Sequence, residues 1–487
     1  MTIGDLFFGW LLPGLGLAFF AAGAWGNADT LFGWSKAMRA ARAEGRHVSM
    51  ALIVPGVIGA ISMWNGPFAW MRTFFWVPLV LDVGCIPYFV LGWLAPRAPL
   101  DAEARTQEAQ RAEADAAKQA AAREARSKVY FRAFAGCLLG TAVGDALGLA
   151  CEGLSPQRQA RLFPDRERYH LLPFGRGMCS DDTEHSIMVA QALIETAGYA
   201  NALRNAQAFR ANLAWRMRWW FLGLPAGIGM ATLKGIIKLW LFLPQRWQGI
   251  YSAGNAPSMR SALIGVFWAE DPELLRLHVE ASARLTHSDP RAAQAALAVA
   301  VAASLSSQNA GRVDASDYAE RMRSLLGQEG AELAHLIDRV ADSVRAAERT
   351  LNLARALGLE RGVTGYAFHT VPVALHAWLA HLGDFRQALL AAIECGGDTD
   401  TVAAITGAIA GAGTGTEGIP RLWLARLAEW PHSVAWMRNL AQELAQVRVN
   451  YVGTSASSAP VSKVLLRNVF FILLVLLHGL RRMLPPY

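Results

Sequence analysis

The stretch "CGGDTDTVAAITGAIAGAGTG", residues 395–415, decides the fold, because it places acidic side chains directly before a long run of small apolar residues. Such a run, with no polar face, predicts a helix that is buried on all sides. Asp398, Asp400 and Thr401 lie at its expected N-terminus. Carboxylates suit the positive end of a helix, so capping is one explanation for them.

A second stretch, "MCSDDTEHSIMVAQALIETAG" (residues 178–198), repeats this construction with Ser180, Asp181 and Asp182 before another helical pattern. A single cap needs one side chain, but each cluster offers three oxygen-bearing side chains. If the clusters face each other, they concentrate four negative charges and require cations. Carboxylate and hydroxyl oxygens without cysteine or clustered histidine favour Mg²⁺ or Mn²⁺ over zinc.

Glycines recur every fourth residue in "FAGCLLGTAVGDALGLACEG", residues 134–153. This spacing predicts a glycine stripe on one helix face, against which another helix packs closely. We favour packing over phosphate binding, because the chain contains no P-loop or dinucleotide fingerprint. Asp145, within the stripe, is interpreted as a buried structural partner.

The 487-residue chain is 53% hydrophobic, and its first part is typical of a membrane anchor. An uncharged run covers residues 6–25, and residues 48–95 contain only Arg72 and Asp82 as charged residues, with a turn expected at 65–67. About 20 apolar residues span a bilayer, so residues 1–98 are predicted to form about three transmembrane helices. The basic loop at 35–47 places the remainder of the chain on the cytoplasmic side of the inner membrane.

Three further segments follow. Residues 99–128 predict a charged helical linker, and 129–450 predict one all-α domain, because apolar residues recur there at helical spacing with hardly any alternation. The tail, 451–487, contains an uncharged run of residues 468–480 that is too short to span. It is interpreted as an interfacial or re-entrant helix, and docking onto the rest of the protein is the alternative.

Charge and cysteine content exclude several classes of protein. The formal charge of +7 fits an anionic lipid surface, and no long basic run interleaved with aromatic residues gives a specific nucleic-acid signal. Five cysteines without a CxxC pair give neither a disulfide framework nor a zinc signature.

These motifs, together with "SAGNAPSMRSALIGV" (252–266) and "LTHSDPRAAQAALAVA" (285–300), occur in the order found in the ADP-ribosylglycohydrolases of the DraG type, which residues 131–430 resemble. The resemblance implies an all-α hydrolase with two Mg²⁺ or Mn²⁺ ions. It implies that the metal ligands are Ser180, Asp181, Asp182, Asp398, Asp400 and Thr401.

The resemblance also assigns residues around the metals. Glu152 matches a glutamate beside them, and catalytic roles fall on Glu152, Asp181 and Asp398, with the general base left open. Asn255, Arg260 and His287 match residues that line the ADP-ribose cleft. Taken alone, His287 is equally well a residue of a helix-capping region, and Arg260 a surface ion pair.

Together with the predicted anchor, the resemblance implies a membrane-tethered hydrolase that cleaves the bond at ribose C1 of ADP-ribosylated proteins or small molecules. One alternative is an ADP-ribose-binding regulatory or immunity-type module without turnover. Another is a membrane protein in which residues 1–96 transport or sense something, with Asp82 as an intramembrane acid. The acceptor group, the choice between Mg²⁺ and Mn²⁺, and the oligomeric state are not predicted.

Overall fold

The computed structural model describes residues 10–32, 54–82, 102–198 and 201–483. Every regular element in these ranges is helical, with isolated bridges in place of β-strands. The prediction of an all-α protein is therefore confirmed. The chain divides into two compact units, residues 1–116 and 117–487.

The first unit contains helices α1 (Leu12–Phe32), α2 (Val54–Trp64), α3 (Ala69–Thr73) and α4 (Val77–Leu81). The turn expected at 65–67 is present, but α2 covers only 11 residues, and α3 and α4 cover five each. Residues 48–53 and 83–95 of the predicted hairpin, and the basic loop 35–47, lie outside the described ranges. The three spans therefore remain a prediction.

Two helices in the described ranges are long and apolar enough to cross a membrane by length and composition. One is the segment Gln110–Cys151, whose apolar window is wholly buried within the protein, as expected for a core helix. The other is Val461–Arg482, whose corresponding window is only 22% buried. The N-terminal helix contributes a shorter apolar segment, Leu12–Trp25.

A long helix, α5, begins before residue 117 and supplies the first helical residues of the second unit. Its exposed residues 110–126 form the solvated helix expected of the linker, and it continues without a break into the core. The helices from α5 onward are α5 (Ala102–Gly148), α6 (Pro156–Leu162), α7 (Asp181–Thr196), α8 (Ala202–Leu222), α9 (Met230–Trp240), α10 (Gln245–Gln248), α11 (Ala256–Met259), α12 (Ala262–Phe267), α13 (Pro272–Ala283), α14 (Pro290–Gln308), α15 (Ala315–Leu326), α16 (Ala331–Arg345), α17 (Thr350–Ala356), α18 (Ala367–Leu379), α19 (Phe385–Glu394), α20 (Thr399–Thr414), α21 (Arg421–Arg426), α22 (Val434–Asn450) and α23 (Val461–Arg482).

Helix α20 lies at the centre of the second unit, with residues 399–413 all buried. The glycine stripe of α5 packs directly on it. A Cβ added at Gly140 would lie 2.1 Å from the carbonyl oxygen of Gly407, and one at Gly144 would lie 2.1 Å from that of Ala403. The stripe therefore serves helix packing, as predicted, and it brings the C-terminal end of α5 beside the N-terminal end of α20.

The apolar pattern over 331–357 predicts one helix, but the structure contains two, α16 and α17. The chain turns at Ala347, whose φ of 53° is left-handed. The Ser343 hydroxyl donates to the Glu348 carboxylate at 2.6 Å and stabilises this turn. Helical periodicity continues across the break, and for that reason the sequence pattern does not reveal it.

Helix α23 packs against the second unit through a polar face. Arg467 is buried and donates two hydrogen bonds to the Glu429 carboxylate, at 2.9 Å each. Asn468 donates to the Gly223 carbonyl at 2.8 Å, and His478 lies 3.0 Å from the Ala150 carbonyl oxygen. The docked arrangement, which the sequence left as an alternative, is therefore present.

Candidate functional site

The first acidic cluster begins α7, and its backbone groups are already capped by other side chains. Asp145 accepts hydrogen bonds from the Ser180 amide at 2.9 Å and from the Thr183 amide at 3.2 Å. Ser180 Oγ accepts from the Asp182 amide at 3.3 Å. Because Asp145 and Ser180 satisfy these amides, capping does not explain the carboxylates of Asp181 and Asp182. The structural role predicted for Asp145 is confirmed.

The second cluster begins α20, beside the first. Asp398 is the N-cap residue, yet its carboxylate makes no capping hydrogen bond. Thr401 Oγ1 donates to Asp182 Oδ2 at 3.2 Å and so connects the two clusters. Asp398, Asp400 and Thr401 line the same cleft as Asp181 and Asp182. The two clusters therefore face each other.

The facing carboxylates are buried in an unfavourable electrostatic environment. Desolvation, followed by repulsion from neighbouring carboxylates, raises the pKa values of Asp181, Asp182 and Asp400 well above their ordinary range. Desolvation also raises the pKa of Asp398. Asp182 Oδ1 and Asp400 Oδ1 are buried without any hydrogen-bond partner. Buried anionic oxygens without partners are costly, and a cation would compensate for them.

The donor set fits hard divalent cations in chemistry, because it combines carboxylates with a threonine hydroxyl. Within the described ranges, no three or more His, Cys, Asp or Glu side chains form a ready-made metal-binding group. Ser180 does not line the cleft. Its hydroxyl donates to Asp182 Oδ2 at 3.2 Å. In this geometry Ser180 orients Asp182, and its role as a direct ligand stays a prediction.

Glu152 lies on a turn that is joined to Gly397 by two backbone hydrogen bonds. The Gly153 amide donates to the Gly397 carbonyl at 2.6 Å, and the Gly397 amide donates to the Leu154 carbonyl at 2.7 Å. Gly397 has a φ of 79°, and a Cβ there would lie 2.0 Å from the Val363 carbonyl oxygen, so this crossing requires glycine. These bonds place Glu152 at the cleft, where desolvation and the charge of Asp398 raise its pKa.

Helix α23 supports the same turn from outside. The Arg482 guanidinium donates to the Glu152 carbonyl oxygen, and the Arg158 guanidinium donates to the Arg482 carbonyl oxygen. Sequence reasoning treated this tail only as a hydrophobic segment. Its contact with the Glu152 backbone depends on tertiary packing, and no local motif indicates it.

Asn255 holds one of the metal-ligand candidates in place. Its Nδ2 donates to Asp398 Oδ2 at 2.6 Å and to Thr370 Oγ1 at 3.0 Å. Asn255 lines the cleft, as does His287. The structure therefore brings both predicted substrate-binding residues to the cleft wall, and Asn255 also orients a carboxylate.

Arg260, the third predicted substrate contact, lies behind this wall, and the prediction is corrected on this point. Its side chain is completely buried. Its guanidinium donates to the Ser282 carbonyl at 3.0 Å, to Thr286 Oγ1 at 2.9 Å and towards His185 Nδ1 at 3.2 Å. The sequence shows that Arg260 is near the cleft but not that the short helix α11 turns it towards α13.

Arg260 acts on the cleft through Thr286 and His287. A guanidinium only donates, so Thr286 Oγ1 accepts from Arg260, and its own proton is available for His287 Nδ1 at 2.9 Å. Neutral His287 then carries its proton on Nε2. Burial and the positive charge of Arg260 lower the pKa of His287 to about 3, so the ring is neutral at physiological pH.

We expect Thr286→Val to weaken binding of ADP-ribose, the ligand that the sequence resemblance implies, about tenfold, which corresponds to roughly 1.4 kcal/mol. Valine preserves the shape but removes the acceptor and donor that hold the His287 ring. Calorimetric titration with ADP-ribose would measure the change. Thr141→Val is the matched control, because the Thr141 hydroxyl is buried and donates only within its own helix, to the Cys137 carbonyl. Equal losses of affinity in both variants would contradict the role of Thr286.

The cleft has a volume of about 680 Å³, which lies within the usual range for small-molecule sites. Two segments that the sequence analysis did not select line it: 227–232, which is a loop and the first turn of α9, and the loop 361–365. Their signal is the density of glycine in "GIGMAT" and "RGVTG". Glycine allows the backbone to approach a ligand closely, and Arg361 brings a cation to the wall. Such loops suit an anionic group such as a pyrophosphate.

Comparison with known proteins places the chain in a family. Residues 126–452 match the family model described as ADP-ribosylglycohydrolase. An uncharacterized protein of Archaeoglobus fulgidus is 31% identical, and the alignment covers 61% of this chain and 92% of that protein. The ADP-ribosylhydrolase ARH3 of Gallus gallus is 27% identical, and the alignment covers 60% of this chain and 87% of that protein. The ADP-ribosylarginine hydrolase Tri1 of Pseudomonas putida is 27% identical, and the alignment covers 63% of this chain and 76% of that protein.

Proposed function

We propose that this chain, which belongs to the ADP-ribosylglycohydrolase family, is a membrane-tethered hydrolase that needs two divalent cations to release ADP-ribose. Family membership establishes a glycosyl hydrolase that removes ADP-ribose, which is the coarser part of this function. The metal dependence, the membrane tether and the acceptor are our proposals. The observation that carries the metal proposal is the pair of buried, unpartnered oxygens, Asp182 Oδ1 and Asp400 Oδ1, in facing clusters.

The residues that would hold the cations are Asp181, Asp182, Asp398, Asp400 and Thr401, with Ser180 supporting Asp182. Bound Mg²⁺ or Mn²⁺ would orient the ribose hydroxyls and lower the pKa of bound water. Asn255 keeps Asp398 in position for this site through its 2.6 Å hydrogen bond.

Glu152 is the proposed acid-base residue. Cleavage at ribose C1 passes through an oxocarbenium-like transition state, in which the acceptor leaves and water attacks. A carboxyl that exchanges a proton efficiently has a pKa near the working pH. Desolvation and Asp398 raise the pKa of Glu152 towards that condition, and its turn holds it at the cleft.

The remaining wall suits the rest of ADP-ribose. We propose that His287 Nε2 donates to an oxygen of the ligand, since Thr286 bonds to the other ring nitrogen. The glycines of the 361–365 loop and Arg361 provide backbone and cationic contacts for the pyrophosphate. These residues bind and orient the substrate, and they take no proton from it.

For the acceptor, we propose ADP-ribosylated arginine as the first substrate class to test. The support is the similarity to a protein named as an ADP-ribosylarginine hydrolase. The proposed location is the cytoplasmic membrane, with the catalytic domain in the cytoplasm, and it rests on the apolar N-terminal segment Leu12–Trp25 and on the basic loop at 35–47.

The test uses the full chain in detergent and an arginine-ADP-ribosylated protein, with release of free ADP-ribose as the readout. We expect release with Mg²⁺ or Mn²⁺ and none with chelator. Release that is unaffected by chelator would contradict the metal proposal. Metal-dependent binding of ADP-ribose without release from arginine would contradict the arginine proposal and direct the search to other acceptors.

A further inference from the structure

We propose that the catalytic domain binds an anionic lipid bilayer through a surface of its own, formed by the outer face of α23 and the adjoining segment 215–247. We call this the α8–α9–α23 surface. It is separate from the two acidic clusters, and it does not depend on the N-terminal segments. The proposal rests on the orientation of α23, on the neighbouring exposed aromatic residues, and on the distribution of charge.

Helix α23 packs on the protein through its polar face and exposes its apolar face, the reverse of an amphipathic helix on a water-soluble protein. Its buried positions include Arg467, Asn468 and His478, which bond to the protein. Its outward positions are almost all apolar, and Leu477 is 64% exposed. An ordinary surface helix buries its apolar stripe and exposes its polar face. The reversed arrangement suits a helix that rests on protein on one side and on lipid on the other.

The apolar surface continues from α23 onto α8 and α9. The contact runs through Gly223, whose carbonyl accepts the hydrogen bond from Asn468. Beyond this contact, large side chains are exposed on α8, on α9, on α10 and in the turns that follow α8 and α9, and Phe242 is 68% exposed. The exposed members outside α23 are Trp215, Trp219, Leu222, Leu224, Ile237, Leu241, Phe242 and Trp247. Exposed tryptophans beside aliphatic residues are typical of membrane-interface helices.

Charge favours an anionic bilayer over a second protein as the occupant. No Asp or Glu lies between Glu195 and Glu270, and none lies after Glu443. The surface contains exposed cations beside the apolar residues, among them Lys234 and Arg246 on α9 and α10 and Arg481 on α23. The Arg246 guanidinium lies over the Trp247 ring, 4.8 Å from its centroid. Basic residues beside an apolar face attract anionic headgroups.

The mouth of the cleft borders this surface. Met230, at the start of α9, lines the cleft and is 63% exposed. Arg482, at the end of α23, donates to the backbone of Glu152. If the proposed function holds, acceptors held at the membrane surface would therefore be the ones closest to the cleft.

The experiment places an environment-sensitive fluorophore at single introduced cysteines of the full chain in vesicles of phosphatidylcholine and phosphatidylglycerol. The background replaces Cys85 with serine, since the four other cysteines are buried. The labelled variants are Leu477→Cys and Phe242→Cys, and the control is Leu325→Cys on α15, which is also exposed. We expect blue-shifted emission and quenching by doxyl-labelled lipid at 477 and 242, and neither effect at 325.

Several outcomes would overturn the proposal. One is emission at 477 and 242 equal to that at 325, which would place the surface in water. Another is blue-shifted emission without lipid quenching, which would show that protein covers the surface. For the charge requirement, Lys234→Glu with Arg246→Glu should reduce the quenching at 242, whereas Arg321→Glu on α15 should not. Equal quenching in all charge variants would overturn the anionic specificity. None of these readouts requires hydrolysis, so failure of the membrane-surface proposal is distinguishable from failure of the proposed function.

Discussion

Replacing Asp398 by asparagine should lower the rate of ADP-ribose release by about 10²–10⁴-fold, the range for loss of a group that acts directly in the reaction. Asparagine keeps the size of the side chain and can still accept the hydrogen bond from Asn255. It removes the negative charge that a divalent cation requires. Single-turnover release at saturating Mn²⁺ would measure the effect, and activity within a few-fold of the wild type would contradict the assignment.

Asp384→Asn is the matched control, because Asp384 is also an aspartate at a helix N-terminus. Its carboxylate accepts from the Gln387 amide at 3.0 Å, and it is exposed. This substitution should leave the rate unchanged and alter stability by less than about 1 kcal/mol. If both aspartates were merely caps, the two variants would behave alike.

Thermal unfolding tests the assignment of Asp398 independently of the reaction rate. In chelator, Asp398→Asn should unfold at the same or a higher temperature than the wild type, because it removes one of several repelling carboxylates. Adding Mn²⁺ should raise the Tm of the wild type by mass action and have much less effect on the variant. A metal-free variant that is less stable than the wild type would support a capping role for Asp398.

The two acidic clusters and the glycine stripe were predictable from the sequence for a local reason. Each is a short motif whose geometry follows from helical spacing, so the residues that face a neighbour can be read directly. The sequence left the facing of the two clusters as a condition, and the hydrogen bond from Thr401 to Asp182 shows that the condition is met. Local pattern, however, does not say which other segments complete the site.

The features that the sequence did not indicate all depend on tertiary packing. Arg260 belongs to a motif near the cleft, but the orientation of α11 turns its side chain away, towards Ser282. The loop at 361–365 enters the site because its backbone bonds to Gly396 and Asp398. For α23, the apolar pattern indicates an amphipathic helix but not that the polar face is the one that docks. Buried partners such as Glu429 decide that orientation.

The largest expected effect on stability is that of Gly140→Ala in the glycine stripe. The new methyl group would lie 2.1 Å from the Gly407 carbonyl oxygen, and a Cβ on Gly407 would lie 2.2 Å from the Gly140 carbonyl oxygen, so neither backbone has room to yield. We expect the free energy of unfolding to fall by about 3 kcal/mol or more, since overpacking of a rigid core typically costs about 1–3 kcal/mol. Scanning calorimetry should show a Tm lower by roughly 4 °C or more, because the unfolding entropy of a unit as long as residues 117–487 is large.

Gly479→Ala is the matched control for this prediction, because Gly479 also lies inside a helix, α23, but has no atom within 4 Å of an added Cβ. Alanine there should leave the Tm unchanged or raise it slightly, since glycine within a helix costs about 0.5–1 kcal/mol relative to alanine. Opposite changes in Tm at Gly140 and Gly479 would separate the effect of close packing from that of helix propensity.

The expected loss at Gly140 also reaches the active site, because the α5–α20 contact brings Asp145, which holds the start of α7, beside the start of α20. A Gly140→Ala protein that keeps the wild-type Tm would show that α5 and α20 can separate without cost, and would remove the packing explanation for the stripe.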